Sequence, residues 1–207
     1  MATAVLWFRR DLRLDDHPAL TAAVAAAGEV VPLFVVDPAL ARPAGGPRLA
    51  FLAGCLAELR DRTGGALVVR SGDPGEEVAR LAAEAGAGEV VATADFGPYG
   101  RRRDESVAER LAADGRALRP VDSPYVAAPG TVTKADGTPF LVFSPYARAW
   151  RERTAGGRPC PPVVDPPWAT GLRSEPVPAA PDLGATAILP PGETAGRERL
   201  ERFLAED

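Results

Sequence analysis

Leu6-Trp7-Phe8-Arg9-Arg10-Asp11-Leu12-Arg13-Leu14-Asp15-Asp16-His17-Pro18-Ala19-Leu20 is the stretch that decides how the rest of this chain reads. An apolar run of buried-strand length gives way to three arginines and three aspartates, after which Pro18 opens a helical pattern. In an open α/β sheet a strand-to-helix turn of this kind lies at the carboxyl edge, where ligands bind. Phosphate-binding turns at that edge use glycines that let backbone amides approach an anion. Charged side chains stand here instead, so the turn is not an ordinary nucleotide loop.

Working outward, Val30–Val36, Ala66–Val69, Glu89–Thr93 and Ala117–Val121 are further β-branched or apolar runs of strand length. Between them, apolar residues at helical spacing mark Pro18–Ala27, Leu49–Arg62, Pro74–Ala85 and Arg101–Ala113, with Gly28, Gly64, Gly86 and Gly115 just past their ends. Strands alternating with such helices imply right-handed crossovers. The fold expected is α/β, a doubly wound, Rossmann-like, five-stranded parallel sheet flanked by helices. After Val121 come two short extended pieces in Thr131–Phe140 and a short helix near Pro145–Arg153, an excursion expected to pack on the same domain, 1–155. Paired prolines in 156–192 predict an extended linker. Helix formers return in 193–207, where Leu200, Phe203 and Leu204 form an apolar stripe with nothing following it to pack against. That helix reads as the lead-in to an absent second domain.

The 207 residues, 46% hydrophobic, suffice for one core and an appendage but not for two full domains. A net charge of −4 argues against a broad field for a phosphate backbone. With no long apolar run and no basic-then-apolar leader, we expect a cytoplasmic monomer with no membrane partner. Cys55 and Cys160 lack companions at metal-ligand spacing and read as free thiols.

The opening motif Trp7 to Asp16 resembles the start of the DNA photolyase and cryptochrome family. Further landmarks fall in that family's order: Val35-Val36-Asp37-Pro38, Arg48 with Phe51-Leu52, Gly72-Asp73-Pro74, Pro98-Tyr99-Gly100-Arg101-Arg102-Arg103-Asp104, and Pro191-Gly192-Glu193-Thr194-Ala195. The resemblance implies an N-terminal domain that holds a light-harvesting chromophore. Light-driven repair of pyrimidine dimers would then depend on FAD in a helical domain absent here. Damaged DNA would be met only by the full-length protein, and this chain alone would be catalytically inactive. By the same resemblance, Arg10, Val35, Val36, Asp37 and Asp95 are the first candidates for chromophore contacts, with Phe34, Arg48, Phe51 and Arg101 beside them. Folate-using members carry an Asn-Glu pair where Tyr99-Gly100 stands, which disfavours folate. The surrounding pattern looks like members that bind 8-hydroxy-5-deazaflavin, with FMN second and an empty site a further alternative.

Each charged residue also has a packing explanation. Arg9, Asp11, Arg13 and Asp15 can pair within the turn, because unpaired burial is costly. Arg101, Arg102 and Arg103 read as a solvated helix face, Asp104 as an ion-pair partner or first-turn acid, and His17 as a helix-entry residue. Trp7, Trp150 and Trp168 read as core or linker anchors. Two other classes stand beside the main reading: a nucleotide-binding α/β protein, which lacks the required phosphate loop here, and a cryptochrome-type light sensor, which shares this domain.

Overall fold

The computed structural model describes residues 2–122, 124–157 and 159–205; Met1, Ser123, Arg158, Glu206 and Asp207, over which the expected domain, linker and helix ranges extend, lie outside them. Strands β1 (Thr3–Phe8), β2 (Glu29–Val36), β3 (Val68–Ser71), β4 (Glu89–Thr93) and β5 (Ala117–Val121) form one sheet in the order β3-β2-β1-β4-β5. Every pairing is parallel. The helices are α1 (Pro18–Ala26), α2 (Pro38–Ala41), α3 (Gly46–Arg62), α4 (Pro74–Glu84), α5 (Pro98–Ala113), α6 (Phe143–Thr154) and α7 (Glu193–Ala205).

Alternation along the strands divides the core into two layers. Val5 and Trp7 of β1, with Val31 and Leu33 of β2, pack against Val78 and Leu81 of α4 and Val107 and Leu111 of α5. Leu6 and Phe8, with Val30 and Phe34, pack against Leu20 and Ala23 of α1 and Leu56 and Leu59 of α3. Both faces are covered, which is why the strands read as continuous apolar runs. Asp37 and Asp73 cap α2 and α4, each accepting a backbone N–H with its side chain. Gly64, Gly86 and Gly115 follow α3, α4 and α5 with φ of 60°, 62° and 70°, the left-handed conformation that glycine tolerates.

One local expectation needs correction. The third strand lies two residues later than the apolar run Ala66–Val69 suggests, because its ladder starts opposite Leu33 and continues through Arg70. Arg70 is accommodated by an ion pair with Glu84 at 2.6 Å. The extended proline-rich segment also bonds the sheet. The Val30 N–H donates to the Pro167 carbonyl, and Ala169 donates to the Val30 carbonyl. Farther along, Ser174 and Glu175 bond Val69 on the outer edge of β3. The segment therefore covers an edge that would otherwise present unpaired amides. Since Val30 bonds this strap, alternation turns the Pro32 nitrogen to the same side, where β3 has not yet begun. A proline is tolerated in that gap. The excursion before the strap is looser: α6 has no buried residue.

Candidate functional site

The strand order reverses between β1 and β4, the crevice where doubly wound sheets usually take ligands. Here side chains fill it. Arg9, leaving β1, pairs with Asp104 on α5 at 2.6 Å, its side chain 7% exposed. Arg103 pairs with the same carboxylate at 2.8 Å and with Asp95 at 3.4 Å. Both guanidiniums lie over Trp7, 4.7 and 5.0 Å from the ring centroid. Burial lowers the Arg9 pKa, and Asp104 offsets part of that shift.

Asp11 closes the bottom of the crevice, accepting from the Thr93 hydroxyl and, at 3.2 Å, from the Arg9 amide. Burial pushes its carboxyl up, but His17, Thr93 and the Arg9 amide together hold it well below the usual carboxylate range. His17 is the N-cap of α1: Nδ1 accepts the Leu20 N–H at 3.1 Å. That assigns the ring proton to Nε2, which lies 3.2 Å from Asp11 Oδ2.

Within the turn, the Arg13 guanidinium donates to the Asp15 and Asp16 carbonyls and the Arg9 amide to the Asp11 carboxylate. Arg9 and Asp11 pair across the sheet, and Asp15 with Arg62 and Arg197. Arg103 also departs from the solvated reading. It faces the sheet, whereas Arg101 and Arg102 are exposed.

A cavity of about 1130 Å³ opens one strand over, at the carboxyl ends of β1 and β2. The β1–α1 turn, α2, α3, the strap and α7 surround it, and its lining is mostly apolar. The structure brings Arg10, Phe34, Val35, Val36, Asp37, Arg48 and Phe51 together around this space. Asp95 and Arg101 are not among its lining residues. Asp95 instead pairs with Arg10 at 3.5 Å and with Arg103. Its carboxyl sits below the ordinary value: burial pushes it up, but the Gly97 amide and the arginines outweigh that.

Asp37 is occupied on both oxygens, by the Ala39 amide at 2.8 Å and by the Tyr99 hydroxyl. It is thus a braced part of the wall. Burial and that bond push Tyr99 up to about 12. Arg48, in contrast, makes no ion pair among the described residues, which leaves a cation at the edge of an apolar space. Phe51 adds a ring that is 40% exposed.

Sequence reasoning missed the far wall. Gly192, Glu193, Gly196, Arg197 and Leu200 line the cavity from the start of α7, and Cys55 and Cys160 line it too. Glu193 accepts from the Leu14 and Asp15 amides at 2.7 and 3.1 Å and pairs with Arg62. Glu58 of α3 accepts the Thr194 N–H at 2.9 Å and so caps α7 from outside the helix. A Cβ on Gly192 would overlap the Glu58 carboxylate, and one on Gly54 would overlap Pro191. The Pro191-Gly192-Glu193-Thr194-Ala195 motif was the available signal, but its contacts span well over a hundred residues of chain.

The parallel α/β sheet thus carries an apolar cleft beside a crevice closed by ion pairs. The family model for DNA photolyase matches residues 4–167. The chain belongs to that family and corresponds to its N-terminal domain. It is 43% identical over 214 residues to the deoxyribodipyrimidine photo-lyase of Streptomyces griseus, with 99% of this chain and 46% of that protein aligned. It is 37% identical to a cryptochrome DASH of Natronomonas pharaonis, covering 100% of this chain and 48% of that protein. The crystal structure of a bacterial class III photolyase from Agrobacterium tumefaciens superposes with a TM-score of 0.80 at 31% identity, over 99% of this chain and 45% of that one. The chain thus spans about half the length of these relatives.

Proposed function

We propose that this domain holds a light-harvesting chromophore for a photolyase whose FAD lies in a following helical domain. The supporting observation is the apolar cavity at the ends of β1 and β2, bounded by a ring, Phe51, and by Arg48, a cation that makes no ion pair among the described residues. Its volume, about 1130 Å³, lies just above the usual range for small-molecule sites. The residues present fit a planar, polycyclic, partly anionic group of the deazaflavin or flavin class, with 8-hydroxy-5-deazaflavin first, FMN second and folate disfavoured. Bound there, such a group would absorb a photon and pass on excitation without bond chemistry.

The domain's own residues bind, orient and exclude water. Phe34, Val35 and Val36 provide the dry floor, Arg48 an electrostatic anchor, and Asp37, held by Ala39 and Tyr99, a fixed edge. Excitation transfer, repair of cyclobutane pyrimidine dimers, DNA contact, a monomeric state and a cytoplasmic location belong to the same reading. The similarity to a cryptochrome DASH supports a second, in which the whole protein reports light instead of repairing DNA.

Expression of this chain in a host that makes deazaflavins, followed by an absorption spectrum, tests the reading. A near-visible band that weakens in Arg48→Ala is expected. A folded but colourless protein overturns it.

A further inference from the structure

The cavity owes one of its sides to α7, a helix outside the sheet domain. Five observations on that side belong together. Glu193 anchors the first turn of α7 to the β1–α1 turn through the Leu14 and Asp15 amides. Glu58 caps it, and Arg197 pairs with Asp15. Gly192 has a φ of 106° and leaves no room for a side chain against Glu58, so the entry into the helix is shaped for this docking. One turn later stands Gly196, which faces the cavity and whose added Cβ would meet nothing within 4 Å.

A glycine in a helix interior weakens the helix relative to alanine or leucine, and no close packing against protein requires this one. The space it leaves opens into the cavity. We propose that α7 is the size-setting side of the ligand site: Glu193 positions the helix, and Gly196 keeps open the depth that a planar polycyclic ring occupies. This deepens the chromophore reading and rests on it for the ligand class. The placement of the helix does not depend on that reading.

Two measurements separate the parts. Cys55 lines the same cavity, and the Gly192 amide faces its sulfur, so its alkylation reports how α7 sits. In the full chain carrying Cys160→Ser, iodoacetamide should alkylate Cys55 at least fivefold more slowly in Gly196→Leu, because the new side chain fills the approach. Gly196→Ala should be intermediate. Glu193→Gln should raise the rate at least fivefold as the helix lifts, while Glu193→Asp should restore part of the protection. Circular dichroism establishes that each variant is folded.

FMN is the ligand probe, followed by quenching of its fluorescence. Gly196→Leu should weaken binding at least tenfold. If FMN binds Gly196→Leu as tightly as the parent, the size-setting role is overturned and the chromophore reading survives. If the parent binds no FMN, FMN is excluded, the same comparison is made with 8-hydroxy-5-deazaflavin, and failure to bind either overturns the ligand class while the alkylation rates decide the position of α7. Equal rates in all variants overturn the proposal.

Discussion

Arg9 and Asp104 meet at 2.6 Å across 95 residues of chain, and the pair closes the crevice between β1 and β4. Because the Arg9 side chain is 7% exposed, removing the carboxylate strands a buried cation. Asp104→Ala should cost about 3–5 kcal/mol. Arg9→Met combined with Asp104→Leu should cost less than either single change. Urea unfolding of Asp104→Ala, the two single changes and the double variant measures this, and additive losses would show that the two residues do not act as a pair.

Asp11 sets a pH dependence. Its folded pKa is depressed, so its contribution to stability is fully present above the unfolded value of about 3.9 and is lost as pH falls through the folded value. The stability gap between the wild-type chain and Asp11→Asn should therefore narrow as pH is lowered from about 5 to about 3. Thermal midpoints of the two proteins across that range provide the check.

Tyr99 has the opposite sign. Its folded pKa is raised to about 12, so the neutral phenol's contribution persists below the unfolded value of about 10 and disappears as pH climbs toward 12. In an ultraviolet titration, the difference between the wild-type chain and Tyr99→Phe should show one phenol that ionises near pH 12. Asp37→Asn should bring that phenol back toward the ordinary range.

Gly100 tests the brace around Asp95. A Cβ there would overlap the Asp95 carboxylate, whereas one on Gly88 would meet nothing within 4 Å. Gly100→Ala should destabilise by about 1–3 kcal/mol, and Gly88→Ala should stay within about 0.5 kcal/mol of the parent. Similar unfolding midpoints for the two would remove the argument from close approach.

Cavity placement separates two arginines that the sequence treats alike. Arg48 lines the space and Arg101 does not. Arg48→Ala should weaken FMN binding by about tenfold, equivalent to about 1.4 kcal/mol, and Arg101→Ala should leave it unchanged. Fluorescence titration of both variants decides.

The alternation of strand and helix was legible from Val5 to Val121 because burial on both faces demands apolar runs, and helix ends demand caps and left-handed glycines. Arg70 was not legible as part of a strand, since its place in β3 depends on Glu84, 14 residues on, to neutralise it. The wall residues Phe34 to Asp37 could be placed because the end of a strand is a local property. Asp95 and Arg101 were grouped with them because they share the carboxyl edge. Yet β4 lies across β1 from the cavity, and its loop answers to Arg10 and Arg103 instead.

What the sequence alone determined is the α/β alternation, the family and the edge of the sheet where a ligand would lie. The alternation and the edge follow from short-range patterns of burial, capping and turn chemistry that any unfolded stretch already carries, and the family from the resemblance of its motifs, Trp7 to Asp16 first among them. Only the tertiary structure decided that the β1–β4 crevice is shut by ion pairs, that the opening lies beside β2, and that α7 closes its far side. Each of these joins groups distant along the chain, such as Glu193 and the Leu14 amide, 179 residues apart. Their meeting depends on how the whole sheet and its strap are packed.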